Sequence, residues 1–178
     1  MSTRVSPQRS QELHAFKDKF GRPFLIRACQ DDKNDYRALD QMYETFEPKE
    51  CAQGLPMRLE EQRQQWLQSL MREKLNLVAL VEDQVVGHAV LLDMEPGKTC
   101  EYLVFVHQEH QNRGIGTALT RTVRQLAKNM GYCLIWLMVE STNVRAIHVY
   151  EKVGFCRVGP RDVECEMVMN LTTQNENS

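Results

Sequence analysis

The segment HQNRGIGTAL, residues 110–119, sets Gly114 and Gly116 one residue apart beside Arg113, where a strand-like run gives way to an amphipathic stretch. Glycine weakens a helix, so two of them at a helix start call for something that must approach the backbone. The first N–H groups of a helix lack intrahelical acceptors, and the helix dipole adds partial positive charge there. The two missing side chains open that end, Arg113 adds a full charge and Thr117 a hydroxyl. That is the chemistry of a pyrophosphate cradle. Two familiar phosphate loops do not fit. No Lys-Ser or Lys-Thr follows the glycines, as G-x-x-x-x-G-K-[ST] requires. The third glycine of G-x-G-x-x-G is Leu119 here. A G-x-G pair alone also suits a plain structural turn.

A cradle of this kind needs a strand before it and a helix after it. CEYLVFV, residues 100–106, reads as the strand, and Ile115, Leu119, Val123, Leu126 and Met130 recur on one face of the helix, which Gly131 ends. Upstream, PFLIRACQ (23–30) reads as a first strand. Tyr36, Leu39, Met42, Tyr43 and Phe46 then mark a helix capped by Asp31 or Asp32 and stopped by Pro48. PKECAQGLPM is a loop, and Leu59, Trp66, Leu67, Leu70 and Met71 mark a second helix. NLVALVE, QVVGHAVLLDME and CEYLVFV follow as an antiparallel meander with turns near Asp83 and at Pro96-Gly97. After the cradle helix, YCLIWLMV is apolar throughout and predicts a strand buried on both faces. A short helix from Asn143 to Val153 ends at Gly154, and two short strands are predicted at 155–158 and 164–170. The class is mixed α/β, antiparallel first and with a strand–helix–strand crossover second. Residues 1–22 read as an N-terminal arm with a weak helical stripe (Leu13, Phe16, Phe20), residues 23–171 as one domain, and 172–178 as a polar tail.

The chain has 178 residues, 42% hydrophobic and 26% charged, with a formal net charge of -2. That suits a single soluble domain and gives no basic excess for nucleic acid. No apolar run approaches the ~20 residues of a membrane span, and the opening MSTRVSPQRSQELHAF has no signal-peptide core. The expectation is therefore a cytoplasmic protein with no nucleic-acid or membrane partner. Six cysteines without a C-x-x-C pair read as reduced, mostly buried thiols. His107 and His110 are the one close histidine pair, which is too little for a zinc site.

VHQEHQNRGIGTAL resembles the coenzyme A-binding motif Q/R-x-x-G-x-G/A of the GNAT acetyltransferase superfamily, with Gln111, Gly114 and Gly116 at its defining positions. NVRAIHVYEKVGF (143–155) resembles the N-x-x-A-x-x-x-Y-E-K-x-G-F segment that follows the next strand in that family. The detailed likeness covers residues 99–158, and the coarse order of elements fits from about 23 to 170. The resemblance implies a GNAT-type central, mixed, mostly antiparallel twisted sheet of six to seven strands flanked by about four helices. It implies acetyl-CoA as acyl donor, no metal, and an amine acceptor, with a homodimer left open. Residue by residue, Gln111, Asn112, Arg113, Gly114, Ile115, Gly116 and Thr117 would hold the pyrophosphate. The backbone of Val104, Phe105 and Val106 would pair with the pantetheine arm. Asn143 would hydrogen-bond the cofactor, and Tyr150 would sit near the thioester sulfur as general acid. Asn143 and Tyr150 are seven apart, so they share a helix face.

Such a transfer needs a neutral amine, donors for an oxyanion and a proton for the departing thiolate. Some relatives carry a glutamate base where this sequence has Met138. Others carry one on the preceding strand, at a position that aligns with Cys100. Glu101 lies one residue away, which normally points to the other face unless a bulge intervenes. Glu101 and Glu140 are the candidate bases, and a water chain with no single base is the alternative. The loop FEPKECAQGLPMRLEE and its flanks carry Glu44, Glu47, Glu50, Glu60 and Glu61, diluted by Lys49 and Arg58. An acidic rim there would draw a cationic amine; a solvated helix face explains the same charges. The expected function is acetyl-CoA-dependent N-acetyl transfer to a primary amine of a small molecule or protein, the alternative a catalytically weak acyl-CoA sensor.

Overall fold

The computed structural model describes residues 14–30, 32–47, 57–160 and 162–172. Strand β1 (His14–Lys17) pairs antiparallel with β2 (Pro23–Ala28). Helices α1 (Lys33–Glu44) and α2 (Glu60–Met71) follow, and the chain returns beside β2 as β3 (Leu75–Val81). It then meanders through β4 (Gln84–Glu95) to β5 (Thr99–Val106) with every neighbour antiparallel. Glu82 and Asp83 make the β3–β4 turn with φ of 49° and 66°, the left-handed pair that suits a two-residue hairpin loop.

A 3-10 turn (Gln108–His110) leads from β5 to α3 (Ile115–Asn129), which crosses over to β6 (Leu134–Glu140), parallel to β5. After α4 (Val144–Val153) come β7 (Cys156–Val158) and β8 (Glu164–Asn170). The sheet runs β1-β2-β3-β4-β5-β6-β8-β7. It is mixed and mostly antiparallel, as expected, and among the described residues it has eight strands rather than six or seven and is flanked by four α-helices.

The helices divide between the faces. Ile115, Leu119, Val123 and Ala127 of α3 and Ile147, Tyr150 and Val153 of α4 are buried on one side. All but Val153 pack in one cluster with Cys100 and Tyr102 of β5, Ile135, Leu137 and Val139 of β6, and Met167 and Met169 of β8. Leu39, Met42 and Tyr43 of α1 and Leu67 of α2 cover the other side of β3 to β5, against Val78, Val85 and Phe105. The α1 and α2 cover stops at β5.

That limit corrects one expectation. β6 is buried on one face only: Ile135, Leu137 and Val139 are buried, whereas Leu134, Trp136, Met138 and Glu140 are half-buried. Other corrections are smaller. Met130 and Leu59 are exposed rather than core, and Ala127 fills the place on α3. Of the five cysteines among the described residues, Cys100 and Cys165 are buried, Cys29 is intermediate, and Cys133 and Cys156 are exposed. Asp32 caps α1, its carboxylate accepting from the N–H of Asn34 and Asp35; Asp31 lies outside the described residues, as do Leu13, Pro48 and the loop through Pro56. Residues 14–17 are a strand, not part of a helical stripe: Phe16 stacks on Phe24 at 5.3 Å, while Phe20 is 64% exposed.

Candidate active site

Two strands part at the centre of the sheet. β5 and β6 pair only at Thr99–Leu134, Cys100–Ile135 and Glu101–Trp136. Beyond Glu101, β5 keeps β4 on one side through Val106, and its other edge opens into a fork. Along a strand, alternate backbone N–H and C=O groups point to each edge, so residues 102–105 present groups to this gap that no strand pairs. At the far end, Gln111 Nε2 donates to the Val106 carbonyl at 3.0 Å.

The glycine loop closes the open end of the fork. Gly114, at φ 94°, is the N-cap of α3 and has no side chain to cap the first turn. The first helical bond is Ala118 N–H to the Gly114 carbonyl at 3.0 Å, which leaves the N–H groups of Ile115, Gly116 and Thr117 directed out of the helix end. Gly114 is explained by its left-handed backbone. Gly116 is not: it is helical, and an added Cβ would meet only Val106 Cγ2 at 3.7 Å, ordinary van der Waals distance. The protein's own packing does not call for glycine at 116, whereas an anion approaching the helix end does. The first turn is further held by a buried relay, Tyr102 hydroxyl to Thr120 Oγ1 at 3.0 Å and Thr120 Oγ1 to the Gly116 carbonyl at 2.7 Å.

Arg113 differs from its sequence reading as a charge facing phosphate. Its Nε donates to Asp18 Oδ2 at 2.8 Å and its Nη1 pairs with His110 Nδ1 at 2.9 Å. His110 is held below its ordinary pKa by burial and by this guanidinium, which fits a neutral Nδ1 acceptor. The rest of the loop is tied to the residues that follow α1. His107 Nε2 lies 3.2 Å from Thr45 Oγ1, while Gln108 donates to the Thr45 carbonyl at 2.8 Å and accepts from Glu47 N–H at 3.0 Å.

Tyr150 and Glu101 reach the fork from opposite faces. Tyr150 is buried on the α3–α4 side, its ring 6.3 Å from that of Tyr102 and 5.6 Å from that of Phe155. Burial raises its pKa well above the ordinary phenol value, so the hydroxyl stays protonated. Asn143 caps α4, its Oδ1 accepting from Ala146 N–H at 3.2 Å; its amide N–H groups are what it can offer a ligand. Glu101 belongs to the last β5–β6 pair and is half-buried, and desolvation raises its pKa. The irregularity in this region lies in β4, between Asp93 and Glu95, not in β5. Glu101 therefore faces away from buried Cys100 and shares its side with Leu103, Phe105 and Trp136. Glu140 lies four residues beyond Trp136 on the same side of β6, its Oε2 accepting from Thr142 Oγ1 at 3.4 Å.

Sequence reading missed a neighbour on that side. Glu166 of β8 pairs across from Met138, and its Oε1 accepts from Trp136 Nε1 at 2.5 Å. With Met138, Val158, Asp162 and Glu164 it lines a cavity of about 410 Å³. Strand order, not local pattern, puts it there. Among the described residues, no group of three or more His, Cys, Asp or Glu side chains is placed to hold a metal, and no helix is long and apolar enough to cross a membrane.

The chain is similar to known proteins in part of its sequence and in its fold. N-acetyltransferase 8 of Homo sapiens is 33% identical over 87 residues, 46% of this chain and 38% of that protein. N-alpha-acetyltransferase 30 of Schizosaccharomyces pombe is 33% identical over 86 residues, 46% of this chain and 57% of that protein. The chain thus spans less than two thirds of the length of either relative. Among solved structures, the GNAT domain of S. lividans PAT superposes with a TM-score of 0.76 at 16% identity, covering 89% of this chain and 96% of that one. The spermidine N-acetyltransferase from Vibrio cholerae, solved with CoA and spermine, gives 0.67 at 16% identity, covering 83% and 95%. The family model for the acetyltransferase (GNAT) family matches residues 36–155, more than half of the chain's length. With the forked sheet and the glycine loop at its mouth, that match establishes that the chain belongs to the GNAT acetyltransferase family.

Proposed function

We propose that the protein is an acetyl-CoA-dependent N-acetyltransferase that moves the acetyl group directly to a primary amine. The observation that carries this reading is the fork: an unpaired edge of β5 that ends at a helix start whose Gly116 no intramolecular contact requires. The residues present fit the donor. The N–H groups of Ile115, Gly116 and Thr117 bind pyrophosphate, and residues 102–106 accept an extended pantetheine arm as a further strand.

Acetyl-CoA, when bound, supplies a thioester whose sulfur leaves as a thiolate. The chain supplies the rest. An edge N–H of β5 donates to the acyl oxygen as charge builds there. Glu101, at the crotch of the fork, takes the proton that the attacking amine sheds. Its raised pKa makes it a better base than an exposed carboxylate. Tyr150 gives a proton from its hydroxyl to the sulfur side. Glu140 lies roughly 13 Å further along β6 at the usual rise per residue, so it serves the acceptor's approach rather than the proton transfer. Glu101, Glu140, Glu164 and Glu166 share the face that α1 and α2 leave uncovered, which favours a cationic acceptor.

The test is thiol release from acetyl-CoA against a panel of amines: polyamines, amino sugars, amino acids and peptides with free N-termini or lysines. Turnover with any of them supports the reading. Binding of acetyl-CoA with no turnover across the panel supports the sensor instead.

A further inference from the structure

The turn between β1 and β2 touches the cradle at two places. Asp18 organises the turn itself. Its Oδ1 accepts from the N–H groups of Phe20 and Arg22, both at 2.9 Å, while its own N–H donates to the Arg22 carbonyl at 2.8 Å. Its Oδ2 accepts from Arg113 Nε at 2.8 Å, and the carboxylate is only 2% exposed in that ion pair. Next to it, Lys19 N–H donates to the Arg113 carbonyl at 3.1 Å. The hairpin thus holds Arg113 by both backbone and side chain.

What it holds is the left-handed stretch of the loop, between the part tied to Val106 and the first turn of α3. Asn112 and Gly114, on either side of Arg113, both have positive φ, 58° and 94°. Asparagine adopts that region more readily than other non-glycine residues, but it is still a minor conformation that the surroundings must select. The direction of the N–H groups at the start of α3 follows from this loop. The same guanidinium passes the constraint on to His110.

We infer that Asp18 is a positioning residue for the acyl donor, and that the β1–β2 hairpin is a working part of the donor site rather than an appended arm. Asp18 reaches no ligand; it sets Arg113 and so the cradle N–H groups. This inference rests on the donor site proposed above.

The experiment compares full-length wild type, Asp18→Ala and Asp18→Asn, with acetyl-CoA and CoA as probes. Calorimetry is expected to show donor affinity lowered on the order of tenfold in Asp18→Ala, since one charge-assisted hydrogen bond anchors the loop. Asp18→Asn, which keeps an acceptor oxygen but no charge, is expected to fall between the two. Donor KM should rise in parallel while kcat at saturating donor and acceptor KM stay within about twofold, a split that general damage to the fold does not produce. In ligand-free protein, amide exchange at residues 111–117 should quicken in Asp18→Ala. If that variant does not fold, Asp18→Ser, whose hydroxyl can still accept from the turn N–H groups but is too short to reach Arg113, should show the same split. Wild type that fails to bind acetyl-CoA overturns the donor site itself. Wild type that binds, with folded variants that bind within twofold of it, overturns this inference alone. A loss of kcat with unchanged donor affinity also overturns it.

Discussion

His88 makes the most quantitative prediction. It is fully buried on β4, with Tyr43 hydroxyl 2.6 Å from Nδ1 and Asn76 Oδ1 3.0 Å from Nε2. Asn76 Nδ2 donates to the carbonyls of Leu70 and Glu73, so its Oδ1 is the end that accepts. His88 therefore carries its proton on Nε2 and accepts from Tyr43 on Nδ1. The pair of bonds joins α1, β3, β4 and the end of α2 in one neutral network. Burial pushes the His88 pKa from 6.5 down to about 3. The unfolded chain takes up a proton as pH falls through 6.5, and the folded chain does not until about 3. Stability from this group is thus complete above 6.5 and lost progressively as pH falls towards 3. Between pH 7 and pH 5 the loss is about 2 kcal/mol, at ~1.4 kcal/mol per pH unit once the unfolded imidazole is protonated. His88→Gln keeps a donor towards Asn76 and cannot titrate. It should be less stable at pH 7, by about 1–3 kcal/mol for the acceptor Tyr43 loses, yet the gap to wild type should nearly close at pH 5. Urea unfolding followed by tryptophan fluorescence at pH 7, 6 and 5 measures both, and other titrating groups cancel in the comparison. Equal losses in the two proteins would refute the neutral, locked imidazole.

Three further outcomes are expected. Gly116→Glu places a carboxylate in the cradle, and its Cβ meets only Val106 at ordinary contact distance, so the apo melting temperature should hold while the stabilisation by acetyl-CoA disappears; an undiminished ligand shift would put the donor elsewhere. Tyr150→Phe should lower kcat by roughly 10²–10⁴-fold with near-normal acetyl-CoA affinity, and a loss confined to affinity would make the residue a binding group. Glu101 is active when ionised, so turnover should rise with pH through an apparent pKa above the ordinary carboxylate range, which burial sets; in Glu101→Gln that limb should vanish with most of kcat, and an unchanged profile would leave the base to a water chain.

The sequence was most informative where a local rule decides the structure. The 3.6-residue period of α3 placed Ile115, Leu119 and Val123 in the core, and Gly131 marked its end, where the backbone turns left-handed. Alternation indicated that Glu101 and Cys100 face apart, and no bulge in β5 reverses them. What stayed hidden depends on partners distant in the chain. Nothing near HAFK announces a strand, because four residues become one only by pairing with β2. Arg113 read as a free cation because its partner, Asp18, lies 95 residues away. The apolar run of β6 could not reveal its open face, since that depends on how far α1 and α2 extend over the sheet.

The fork also decides how the molecule bears load. Among the described residues, three ladder pairs and the Lys98 carbonyl, which accepts from the N–H groups of Cys133 and Leu134, join the strands of the β1–β5 half of the sheet to the β6–β8 half, against seven ladder pairs between β6 and β8. Along the rest of the boundary the halves are bridged by α3 and α4, whose side chains slide more readily than a hydrogen-bonded ladder shears. A force applied across the sheet therefore concentrates at Thr99–Glu101, and the halves part there like a zip with most of its teeth missing. An extended ligand lying along that edge supplies the missing teeth, so occupancy should be readable in the pulling force at which the seam opens.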